Sequence, residues 1–165
     1  MESSGSAAVS WLLHNAAQPQ AALLGQRPEL MERYRAFLET LWVEGHVPLR
    51  LLHLCRLRIA AIHGAVSAWN PVPLPDLEAP LEGAALAALS RGPTADDAAL
   101  FTLAEQAALQ VAELIPHGQH QITDAQVAAL QTALGNPAAV ALLTALAFFD
   151  VNTRLGLSLG LQTES

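Results

Sequence analysis

Apolar residues in this chain return every three or four positions through each long stretch between its prolines, and nowhere do they alternate at a spacing of two for long enough to form a strand. That pattern confines the chain to an all-α fold. Its side chains agree: apolar residues make up 52% but aromatic residues only 5%, so alanine and leucine carry the apolar share, and both favour helices. A chain of 165 residues suits one domain. At this size folding buries roughly 70% of the unfolded surface, enough for a real core.

Prolines, glycines and capping residues divide the chain. Residues 1–18 read as a loose N-terminal segment, with Trp11, Leu12 and Leu13 the only start of a short helix, and residues 19–165 as a single helical domain. Pro19 and Pro28 each suit a first helical turn. A helix is expected from Pro28, through Leu30, Tyr34, Phe37, Leu38, Leu41 and Trp42, to a C-terminal cap at Gly45. Pro48 opens the next, which runs at least to Ile62, with Gly64 ending it or passing through it. The prolines between 71 and 80 break any helix. A modest helix is expected from about Leu81 to Ser90, closed by Arg91-Gly92-Pro93. Thr94 and Asp97 resemble a capping box and open a long helix to Leu114, stopped by Pro116 and Gly118. Thr123 caps a helix over 124–134, and Asn136-Pro137 caps the last, which runs to about Leu159.

Charge narrows the function classes. The net charge is −7, and the eight basic residues are all arginines, which form no basic stripe. Phosphate neutralisation on a nucleic acid is therefore not expected. Only 14% of residues are charged, too few to cover the surface of a monomer, so a homo-oligomer (a dimer, trimer or hexamer) is expected. The single cysteine, Cys55, rules out a disulfide within the chain and suits a reducing compartment. With no basic segment ahead of a long apolar one at the start, and no charge-free apolar stretch of ~20 residues, neither a signal peptide nor a membrane partner is expected, and the expected location is the cytoplasm.

Leu49 to Ala68 reads LRLLHLCRLRIAAIHGAVSA. This segment resembles the helix leading into the active site of the carboxymuconolactone decarboxylase family, which includes the alkylhydroperoxidase D-like proteins. Thr94 to Glu113 is similar in pattern to that family's helix after the active site, and Phe148 to Leu155 resembles its closing helix, where an Asn-Arg pair usually stands. The resemblance covers roughly residues 28–161 through the order and spacing of several weak motifs. It implies an alkylhydroperoxidase D-like bundle of about six to eight helices.

The departures from that family set the functional expectation. With Gly64 on the family glycine, His53 stands at the glutamate position and His63 at the asparagine position. Ala65 and Ala68 fall on the two cysteines, Val72 falls on the histidine, and Thr153-Arg154 replaces Asn-Arg. The family's peroxidase chemistry needs an attacking thiolate, a resolving thiol and a base. Cys55 does not stand in for them, because it lies two residues past His53 and so points about 200° around the helix from it.

His53, Arg56, Ala60 and His63 follow at spacings of three, four and three, which places three polar side chains on one stripe of the helix. Such a stripe serves either as a structural hydrogen-bond network, the commoner outcome, or as a remnant pocket. In the pocket reading His53 and His63 are the candidate catalytic residues, while Arg56 and Arg154 hold a small anionic ligand. Asp150 and Arg154, four apart on the last helix, are available as partners. His117 and His120 have the spacing to share a metal but no third ligand, so a solvated loop is expected there and neither a metal nor a cofactor. Trp11, Trp42 and Trp69 read as core or interface anchors. The leading functional expectation is a non-redox oligomer with a structural or ligand-binding role. The alternatives are a histidine acid–base enzyme acting on a small organic acid and a thiol antioxidant using Cys55.

Overall fold

A computed structural model describes residues 24–42, 46–65, 81 and 83–159. Within them the chain forms six α-helices: α1 Pro28–Trp42, α2 Leu49–Ile62, α3 Gly83–Arg91, α4 Leu103–Leu114, α5 Asp124–Leu134 and α6 Asn136–Ser158. Two 3₁₀ helices, Ala95–Leu100 and Gln119–Gln121, lie among the connections, and no strand occurs among the described residues. The all-α expectation holds. The expected cap at Gly45, the positions Ala68 and Val72, the proline-rich segment 71–80, the N-terminal segment 1–18, Trp11 and Trp69 lie outside the described residues.

Helix α2 is the centre of the core. Leu51, Leu52, Leu54, Cys55, Leu57, Ile59 and Ala60 are buried and cover most of its circumference, which marks a helix enclosed by others. It packs against α3, α4 and α6, and α5 packs against α4 and α6. Helix α1 reaches the body through aromatic rings: Phe37 meets Phe148 at a centroid distance of 4.7 Å, and Trp42 meets Phe149 at 5.5 Å. Trp42 is thus a half-buried anchor of α1 on α6.

Two ion pairs set how α2 and α4 lie together. Arg50 Nε donates to Glu105 Oε1 at 2.8 Å, and eight residues further along both helices Arg58 Nε donates to Glu113 Oε2 at 2.6 Å. Both pairs span the same sequence separation of 55 residues, so the two helices run in the same direction in a fixed register.

Local chemistry explains the helix ends. At the end of α2 the Ala65 amide donates to the Ala60 carbonyl at 2.9 Å and the Gly64 amide to the Ala61 carbonyl at 3.0 Å. With Gly64 at φ 68, these bonds form a Schellman cap, so Gly64 stops the helix rather than passing through it. The single helix expected from Thr94 to Leu114 is instead two elements. Thr94 and Asp97 do form a capping box, but it opens only the 3₁₀ helix Ala95–Leu100. Phe101 is extended, and a second capping box, Thr102 with Glu105, starts α4. Gly135, at φ 79, rather than the expected Asn136, supplies the N-cap of α6, and Asn136 is its first helical residue. Helix α6 is long and apolar enough to cross a membrane by length and composition alone, although it carries Asp150 and Arg154.

Candidate functional site

The polar stripe on α2 divides into two separate groups. Ten residues of helix separate His53 from His63, about 15 Å along the axis, with the buried methyl of Ala60 between them.

Near the start of α2, Arg56 Nη2 lies 3.3 Å from His53 Nδ1. For this contact to be a hydrogen bond the guanidinium must donate to an unprotonated Nδ1. Burial, reinforced by the Arg56 charge, pulls the His53 pKa down to about 4, so the imidazole is neutral near pH 7. Burial also lowers the Arg56 pKa to about 10. A neutral imidazole held by a mostly buried guanidinium suits a packed polar contact better than a general base poised near neutrality.

At the other end, His63 follows the last residue of α2 and turns toward α6. His63 Nε2 lies 2.6 Å from Asp150 Oδ1, and both side chains are about 15% exposed. Arg154 Nε donates to Asp150 Oδ2 at 2.8 Å, and Arg154 Nη2 donates to the Pro116 carbonyl just beyond α4. His63, Asp150 and Arg154 therefore join the ends of α2 and α4 to α6. Asp150 thus partners one stripe residue, as expected, whereas Arg154 bonds Asp150 and the Pro116 carbonyl rather than the stripe, and these bonds occupy part of the guanidinium expected to hold an anion. Chemically, Asp150 fixes the ring of His63 and leaves Nδ1 as the second ring nitrogen, the arrangement of an oriented imidazole.

Cys55 is fully buried. Burial, with the Glu105 charge adding to it, pushes its thiol pKa well above the usual value. A thiol so placed stays protonated and closed to peroxide.

The sequence reading missed the most fully bonded polar group in the core. Arg58 is 7% exposed and holds Glu113 with two hydrogen bonds, Nε at 2.6 Å and Nη2 at 2.8 Å, while Nη1 donates to the Leu89 carbonyl at 2.8 Å. That bonding holds the Glu113 carboxyl below its usual pKa. Gly92 makes room for it: a Cβ there would lie 3.1 Å from Arg58 Nη2. The matching eight-residue spacings of Arg50 and Arg58 and of Glu105 and Glu113 were the available signal.

Arg58 lines an open cleft of about 790 Å³. Arg91 and Thr94 also line it, as do Gln106, Gln110 and Glu113 from α4. Arg91 Nη2 donates to Asp97 Oδ1 at 2.6 Å, so both cations in the cleft wall already have carboxylate partners. His53, Arg56 and His63 are not among its lining residues.

His117 and His120 are exposed, and no group of three histidine, cysteine or carboxylate side chains among the described residues is placed to hold a metal ion. No family model, no curated protein and no solved structure matches this chain.

Proposed function

We propose that this protein works by association and binding rather than by turnover: an alkylhydroperoxidase D-like helical bundle without the redox dithiol, assembling with copies of itself in the cytoplasm. The observation that carries this reading is the state of Cys55. The only thiol in the sequence sits fully buried and is held protonated, while the position resembling the family's first cysteine is Ala65, itself 3% exposed. The α2 stripe supports the same reading, because its members are engaged in side-chain pairs. A small ligand has more room in the Arg58 cleft, whose volume lies within the range of ligand sites.

The test is turnover of a small organic hydroperoxide with a dithiol reductant. No turnover is expected, with Cys55→Ser indistinguishable from the parent; turnover abolished by Cys55→Ser overturns the reading.

The His63–Asp150 pair favours a second reading, acid–base catalysis on a small organic acid, because a carboxylate-oriented imidazole is the geometry of a general base. Under that reading the site is His63 rather than His53. A bell-shaped pH–rate profile lost in His63→Gln would support it, and loss of stability alone in that variant would oppose it.

A further inference from the structure

From residue 137 to 158 the exposed positions of α6 alternate in steps of three and four without a break: Val140, Thr144, Ala147, Val151 and Arg154 form their centre. An average spacing of 3.5 is the repeat of a seam between two helices. Val140 is 65% exposed and Val151 59%, two of the four large apolar side chains exposed among the described residues. Thr144 bonds its hydroxyl to the Val140 carbonyl at 2.9 Å, so that polar group is satisfied within the helix.

A separate observation concerns charge. From Ala125 to Phe149, across α5 and the first half of α6, the sequence has no acidic, basic or histidine residue, although the chain as a whole carries −7. Two copies of a chain carrying −7 repel one another, and this stretch adds no charge to that repulsion.

The stripe is also complementary to itself. A two-fold axis between Ala145 and Leu146 sets Val140 of one copy against Val151 of the other, and Thr144 against Ala147. Larger side chains meet at both ends and small ones in the middle. Antiparallel pairing also aligns the helix dipoles favourably and opposes no like charges along the seam, since Arg154 faces Pro137. The seam on α6 is ~30 Å long and ~10 Å wide, roughly 300 Å² per copy, below the ~800 Å² per partner of a standard stable interface. Helix α5 packs against α6 and has its own exposed uncharged positions at Ala125, Ala128, Ala129, Thr132 and Ala133.

We infer that the face formed by α5 and α6 is the self-association surface of this protein, and that its occupant is a second copy of the chain docked antiparallel along α6. This rests on the proposed reading of an assembling protein and names the face through which assembly occurs.

Sedimentation equilibrium on the full chain tests it, using the parent, Val140→Glu, Val151→Arg and an equimolar mixture of the two variants, with helical content checked by circular dichroism. The parent is expected to self-associate at micromolar concentration, and each variant, still folded, at least about tenfold more weakly. In the mixture the carboxylate introduced on one copy meets the guanidinium introduced on the other, and association returns. A parent that assembles while both variants assemble equally well overturns the assigned face and leaves the assembly reading standing. A parent that stays monomeric overturns both. Dissociation of the single variants without recovery in the mixture overturns the antiparallel register. Parent chains that bind phosphatidylcholine vesicles instead of one another overturn the choice of occupant. If a charged variant loses helical content, an oxidative cross-link between Thr144→Cys and Ala147→Cys chains gives the independent reading: formation supports the seam and its absence overturns it.

Discussion

The Arg58 guanidinium bonds two oxygens of Glu113 and the Leu89 carbonyl while almost wholly buried, so its removal strands several groups at once. Arg58→Met is expected to lower stability by about 3 kcal/mol, whereas Glu113→Gln, on the more exposed partner, costs about 1 kcal/mol. Urea denaturation of the two variants and their combination checks this. The combination should cost clearly less than the sum, because the pair is lost only once. Gly92 is constrained twice, by φ 96 and by its closeness to Arg58, and Gly92→Ala should cost about 1–3 kcal/mol in the same measurement. His53 gives a pH dependence of definite sign. Its folded pKa of about 4 lies below the ordinary value of 6.5, so the unfolded chain binds the extra proton between these pH values. Stability therefore falls as pH drops from 6.5 toward 4. A shift of this size in a dry interior is worth about 3 kcal/mol, and partial solvent access reduces it to on the order of 1–2 kcal/mol. Denaturation midpoints measured across that window should show the loss in the parent and a flatter profile in His53→Gln.

At the scale of elements, local signals marked where helices start. The Thr123–Gln126 capping box opens α5 at the expected residue, Pro48 precedes α2, and Pro137 stands in the first turn of α6. The break at Phe101 was not legible, because Leu103 and Ala104 continue the apolar spacing and hide the second capping box behind the first. Thr102 matters accordingly: its hydroxyl accepts from the Glu105 amide at 3.2 Å, and Glu105 Oε2 accepts from the Thr102 amide at 2.8 Å. Thr102→Ala should cost about 1 kcal/mol, seen as a lower midpoint in urea. The polar stripe on α2 was visible as a helical spacing, and Asp150 was visible as an available partner, but not that His63 is the member it meets. The axial distance between His53 and His63 separates the stripe into two local contacts. The Arg58–Glu113 pair escaped because its partners lie 55 residues apart, tied in the sequence only by the matching eight-residue spacings on the two helices.

For the molecule as a whole, the enclosure of α2 makes Cys55 a reporter of global opening. Its modification by a thiol reagent in native buffer should be slow and should follow unfolding, rising with urea in step with the loss of helical signal. Rapid labelling of the folded protein would show a local route to the core that the packing does not contain. The paired arginines and glutamates on α2 and α4 bear on how this architecture tolerates change. Equal rungs, two helical turns apart, lock the axial phase of both rods from within the bundle, so the intervening chain need not measure out their alignment. Insertions in the proline-rich segment 71–80 should leave the two rods mated as before, whereas one residue added inside α2 between Arg50 and Arg58 would swing one rung about 100° out of line and leave its carboxylate facing the wrong side.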